Sequence, residues 1–261
     1  MMRRLSTAFR RTPLPVLLLS LLLPLALLSA CGGGTAATAP TATRQPTATA
    51  TPEPGTFYFT TDDGVTLSGK IVGTGMTAII LSAQDGYPSM FWEPLATQLA
   101  DHGYLVMTYN YRGVAPSQGR YDTDTLDHDL RAAIEAVRAN GATGIVLIGA
   151  GAGSLVTAKV SATTQPAAMV ILSTPISWNG LTVSDAEMGG ITAPKLFVGG
   201  KDDRPSSVAS LQRLYDAAPQ PKEMHLYPGD HHGIDFFGAP DTKDDFLQRL
   251  FAFLDKHAPA T

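Results

Sequence analysis

Residues 145–154 read Ile-Val-Leu-Ile-Gly-Ala-Gly-Ala-Gly-Ser, a short apolar run that ends in alternating glycines. An apolar run of this length bounded by turn residues reads as a strand buried on both faces. The stretch Ala152–Ser161 reads as the helix that follows it. Glycine at every second position lets the backbone reverse sharply and lets the helix lie close to the strand. Parallel strands cannot be joined by a hairpin, so a strand that runs straight into a helix implies crossover units and a mostly parallel sheet.

The rest of the chain repeats that grammar. Thr56–Thr61 and Val65–Val72 flank Asp62-Asp63-Gly64, a hairpin signal. Buried-strand runs recur at Thr77–Ser82, Ala168–Ser173 and Lys195–Gly199, with further strands at Tyr104–Tyr109 and Glu223–Tyr227. Helical spacing places Trp92, Leu95, Ala96 and Leu99 on one face of Phe91–His102. The same spacing aligns Leu126, Leu130, Ala133, Ile134 and Val137 in Thr125–Asn140. Further helices are expected at Ser207–Ala217 and at Asp241–Leu254, the latter with Phe246, Leu247, Leu250, Phe251 and Leu254 inward. The expected fold is α/β: a mostly parallel sheet with an N-terminal antiparallel hairpin, helices on both faces, and no large lid. The twenty or so residues from Thr174 to Pro194 hold at most a loop or one short helix.

The N-terminal residues follow other rules. Arg3, Arg4, Arg10 and Arg11 precede an apolar run, Leu14–Leu28, interrupted by Pro15, Ser20 and Pro24. That run is short for a membrane span and fits a secretory signal over residues 1–30. Leu28-Ser29-Ala30-Cys31 resembles a bacterial lipobox and implies lipidation at Cys31, and hence an extracytoplasmic protein held to the membrane through that residue. The chain has a single cysteine, so an intramolecular disulfide and a thiolate metal site are both excluded. Residues 31–55, rich in Gly, Ala, Thr and Pro, read as a flexible tether, and residues 56–258 as one domain. Loss of residues 1–30, with four arginines and no acid, takes the formal charge from −4 to −8. An acidic domain without a basic tract argues against nucleic acid as a partner.

Five segments in chain order carry a resemblance. They are Trp92-Glu93-Pro94-Leu95-Ala96; Tyr109-Asn110-Tyr111-Arg112-Gly113 through Ser117 and Gly119; Gly149 to Gly153; Pro194 to Asp203; and Tyr227-Pro228-Gly229-Asp230-His231-His232-Gly233. Together they resemble the α/β-hydrolase superfamily, near its dienelactone-hydrolase-like and serine-aminopeptidase-like branches. Asn110 and Ala115 depart from the pattern of the second segment. The resemblance implies that Gly149–Gly153 is the nucleophile elbow Gly-x-Ser-x-Gly, with Gly151 in the serine's place. It implies His232 as general base and Asp203 as the acid that orients it, with Asp202 the close alternative. Ala83, Gln84, Asp85 and Ala152 would line the oxyanion site.

Glycine has no side chain and can neither attack a carbonyl nor hold a covalent intermediate. It does relieve the strain that an elbow imposes on its central residue, about 1–3 kcal/mol. Ser154 falls inside the helix and makes a poor substitute. Asp85 would set a negative charge near a forming oxyanion. Two other readings compete. Gly149-x-Gly151-x-x-Ser154 is close to a dinucleotide fingerprint, but lacks its third glycine and an acid after the next strand. His231 and His232 with Asp230 or Asp235 suggest a metal, although adjacent side chains usually point apart. The expectation is a degenerate hydrolase that needs no cofactor or metal and takes a small molecule or a protein partner in its cleft. The alternative is an active ester or amide hydrolase with another nucleophile, or a water, and His232 as base.

Overall fold

The computed structural model describes residues 55–261. The leader, Cys31 and the tether up to residue 54 lie outside the described residues. Eight strands form one sheet: β1 Thr56–Thr60, β2 Thr66–Val72, β3 Thr77–Ser82, β4 Leu105–Tyr109, β5 Gly144–Ala150, β6 Ala168–Leu172, β7 Lys195–Gly200 and β8 Lys222–Tyr227. Their order is β1-β2-β4-β3-β5-β6-β7-β8. β1–β2 and β2–β4 pair antiparallel and the remaining five pairs are parallel. The sheet therefore has the expected hairpin at one edge.

The helices are α1 Glu93–Asp101, α2 Leu126–Ala139, α3 Ala152–Thr164, α4 Asp185–Gly189, α5 Val208–Ala217, α6 Asp235–Gly238 and α7 Lys243–His257. α2 and α3 pack against each other. The segment leading into α1 meets α6 through stacked Trp92 and Phe237 rings at 5.3 Å, and the end of α1 meets α7 through His102 and Phe251 at 4.4 Å. The central strands β3, β4, β5, β6 and β7 are buried along their whole length, or at all but one residue, because helices cover both faces. Residues 174–194 hold only the short α4, whose Ser184 and Glu187 form a reciprocal capping box.

Chain direction across the sheet reverses around β3: β4 lies on one side of it and β5 on the other. The loops after β3 and β5 thus leave the carboxyl edge side by side, where open parallel sheets form their ligand crevice. Those two loops carry Gln84, Asp85 and the Gly151 turn.

Candidate functional site

Gly151 caps the N-terminus of α3 at φ 52 and ψ −124, a region that side chains rarely occupy. Its N–H donates to the Leu172 carbonyl at 3.0 Å, which ties the turn to β6. The flanking glycines are needed for close approach. A Cβ on Gly149 would lie 2.3 Å from the Gly153 carbonyl oxygen, and one on Gly153 would lie 2.4 Å from that of Ala83. This turn is the sharp strand-to-helix elbow that the spacing predicts.

A Cβ on Gly151 would stand 3.4 Å from His232 Nε2, 3.6 Å from Asp85 Oδ1 and 2.9 Å from Gln84 Cβ. His232 therefore faces the elbow, and Gln84 crowds the volume a larger residue would need. On its other side, His232 Nδ1 lies 2.9 Å and 3.1 Å from the two carboxylate oxygens of Asp203. An ionised carboxylate only accepts, so the Nδ1 proton is donated to Asp203, leaving Nε2 to face the elbow. The Asp203 side chain is fully buried, while Asp202 is exposed. Of the two acids that the sequence left open, the structure brings Asp203 to the histidine.

Burial opposes the charge on His232. The Asp203 hydrogen bond, together with the charges of Asp203, Asp85 and Asp235, outweighs it and raises the imidazole pKa. Asp85 is half-buried at φ 45, and its Oδ1 accepts the Ala152 N–H at 3.3 Å. That N–H, on the residue after the elbow centre, is a donor that serine hydrolases of this fold use for the oxyanion. Burial raises the Asp85 pKa, against the pull of the Ala152 N–H and of His232.

Three residues support these groups, and of them only Ser173 carries no local sequence signal. Ser173, at φ 51, accepts the Gly233 N–H on its hydroxyl, while its carbonyl accepts Ser206 Oγ–H. It thereby joins the histidine loop to the acid-bearing turn. Asp235 accepts the His232 N–H at 3.0 Å. Asn110 accepts the Ser89 N–H at 2.7 Å and donates to the Ala115 carbonyl, bracing the loop that holds Asp85. The Ser173 and Ser89–Asn110 contacts join distant segments, whereas Asp235 acts on a residue three positions away.

Ser154 is buried and its hydroxyl donates back to the Gly151 carbonyl, so it does not face His232. His231 is mostly covered and pairs with Asp241 at 3.0 Å. Among the described residues, the one group with metal-ligand spacing is Asp62, Asp63 and His128. There Asp63 is already engaged by both terminal nitrogens of Arg112. A groove of about 380 Å³ runs beside the His232 loop, walled by Phe91, Pro94, Ile234 and Phe237.

Comparison with known proteins follows the same lines. The sequence model of the family described as "Serine aminopeptidase, S33" matches residues 87–187. The uncharacterized protein YfhR of Escherichia coli O157:H7 is 26% identical over 209 residues, covering 69% of this chain and 73% of that protein. The esterase Pf2001 of Pyrococcus furiosus superposes with a TM-score of 0.69 at 19% identity, over 77% of this chain and 90% of its own. The α/β hydrolase GrgF from Penicillium sp. sh18 gives 0.65 at 18% identity, over 77% and 98%. Sheet order, elbow, histidine loop and neighbours agree: the chain is a protein of the α/β-hydrolase fold.

Proposed function

We propose that the chain is a lipid-anchored, extracytoplasmic protein that has left serine-hydrolase chemistry and takes a small ligand in the cleft between the elbow and His232. The observation that carries this reading is Gly151 at the elbow, 3.4 Å in Cβ terms from a histidine still oriented by Asp203. The acid and base of a triad stand together without a hydroxyl between them. Asp85 supports it further. Its carboxylate occupies the Ala152 N–H that would otherwise stabilise an oxyanion, and its charge opposes a second negative charge there.

The test uses the full-length protein in detergent. No turnover of short-chain aryl esters and no labelling by serine-directed phosphonates are expected. Stoichiometric labelling that maps to one serine, and disappears when that serine is changed, would overturn the reading.

A further inference from the structure

We propose that the segment Tyr87–Phe91 is a docking ridge that enters the interface of a lipid bilayer and so fixes which side of the domain faces the membrane. This rests on the reading that a lipid on Cys31 holds the chain to that membrane, and it adds the surface that the anchor alone does not choose. Residues 31–54 reach at most about 80 Å when fully extended, enough to let any face of the domain meet the lipid. An anchored domain also stays at high local concentration beside the bilayer, so a weak apolar patch is enough to select the face.

The ridge is apolar, contiguous and held from below. Among the described residues the exposed large apolar side chains are scattered except here, where Tyr87, Met90 and Phe91 stand 45%, 59% and 45% exposed on one short segment. The Tyr87 and Phe91 rings meet edge to face at 5.5 Å, so they form one surface rather than isolated side chains. Trp92, fully buried, roots the segment by stacking on Phe237 at 5.3 Å. The Ser89 N–H, donated to Asn110, ties it to the turn after β4. No charged residue lies between Asp85 and Glu93, and Glu93 is paired with Lys70 at 2.8 Å. A tyrosine among apolar side chains suits the boundary between headgroups and acyl chains, where one end of the ring is dry and the other wet.

Position names the occupant. Pro88 and Met90 wall a groove of about 260 Å³ that is also lined by Thr56, the first residue of β1. The chain that leads back to Cys31 therefore leaves the domain beside the ridge, and the ridge can reach the lipid without the tether wrapping around the domain. Ala115 and Pro116, exposed and uncharged, line the same groove and extend the apolar surface. A second copy fits less well, because two processed chains of formal charge −8 repel each other when pressed together. At the ridge's other end Phe91 walls the groove beside the His232 loop, so docking sets that groove next to the lipid.

The full-length protein, purified from membranes, is returned to phosphatidylcholine vesicles doped with a phosphatidylcholine that carries a diazirine on its acyl chain. After illumination, lipid adducts are mapped by peptide mass spectrometry. Adducts are expected on Tyr87–Phe91 and not on Met76, before β3, or Ile176, after β6, which are 52% and 54% exposed. Met90→Asp combined with Phe91→Asp should lower adducts on the segment by at least about five-fold, while Cys31 keeps the protein on the vesicles. Adducts absent from Tyr87–Phe91 in the parent, or equally dense on Met76 and Ile176, overturn the proposal. A dimer that the double variant disperses, with no adducts on the segment, overturns it too and gives the ridge to a second copy. If the double variant fails to fold, the adduct map of the parent still decides. Acyl mass on Cys31 is read from the same sample. Its absence sinks the lipid-anchor reading, and a ridge that still labels then docks without the anchor. Its presence beside an unlabelled ridge sinks the docking alone.

Discussion

A single missing hydroxymethyl group separates Gly151 from a serine, but the structure has closed around the glycine in three ways. The backbone sits at φ 52, Gln84 Cβ lies 2.9 Å from where a Cβ would stand, and Asp85 holds the Ala152 N–H. Gly151→Ser should therefore lower stability by about 1–3 kcal/mol from backbone strain, with the Gln84 contact adding to it, as read by urea unfolding. It should remain inert towards aryl esters, since the oxyanion donor is still taken. Adding Asp85→Gly frees that donor and suits the positive φ at residue 85, and the double variant should become reactive to phosphonates at position 151. A single variant as stable as the parent would show that the elbow carries no strain. A folded, unreactive double variant would show that Nε2 does not reach a hydroxyl there. Part of this was legible in the chain, because the resemblance of short segments to α/β-hydrolases points to Gly149, Gly151, Gly153 and His232. The choice between Asp202 and Asp203 was not, because burial depends on how the turn after β7 packs under Ser173.

At the scale of elements, the turn after β4 holds the cleft in place. Arg112 is buried and donates to both carboxylate oxygens of Asp129 through its backbone N–H and Nε, at 2.8 and 2.7 Å. Its terminal nitrogens engage Asp63 at 2.6 and 3.0 Å. One side chain thus ties together the β1–β2 turn, the β4 turn and α2. Arg112→Ala leaves the fully buried Asp129 carboxylate without its counter-ion, and should cost about 3–5 kcal/mol in urea unfolding. Arg112→Lys should recover only part of it, since an ammonium cannot serve two carboxylates as a planar fork does. A loss below about 1 kcal/mol for Arg112→Ala would mean that water relieves Asp129. The sequence marks Arg112 through its motif but not its partners, which stand 49 and 17 residues away. Element type was clear from period, and side-chain facing less so. In α7, Phe253 is buried and Phe251, expected inward, is only partly so. Phe253 falls seven residues after Phe246 and three after Leu250, on the middle of the apolar stripe, while Phe251 lies at its margin and stacks on His102. The four-residue α6 is too short to show any period.

For the whole molecule, the repetition of buried runs and amphipathic helices announces a parallel sheet covered on both faces, and that is the sheet found. Strand order is a different matter. The position of β3 between β4 and β5 depends on which way each crossover turns, and no local pattern encodes that choice. The meeting of the β3 loop with the elbow at the reversal point was therefore implied only by the resemblance, which set Ala83, Gln84 and Asp85 beside Ala152. Membrane attachment is the reverse case, a proposal that rests on sequence alone. Among the described residues no helix is long and apolar enough to cross a membrane. The proposed anchoring rests on the basic, apolar leader and the Leu28-Ser29-Ala30-Cys31 run. One acyl chain binds a bilayer only marginally and two hold it stably, so under this proposal the number of chains on Cys31 would decide how the protein fractionates. Cys31→Ala in the full-length chain should move the protein from the membrane pellet to the soluble fraction, or leave it with its leader uncut and a larger mass. The parent should stay in the pellet after a high-salt wash, because the acidic domain has no basic tract to dock on anionic lipid. Intact mass spectrometry of the pellet should find the chain beginning at residue 31 with acyl mass attached. A Cys31→Ala protein that is cut at the same place and still pellets would mean that something other than a lipid on Cys31 holds the domain at the membrane.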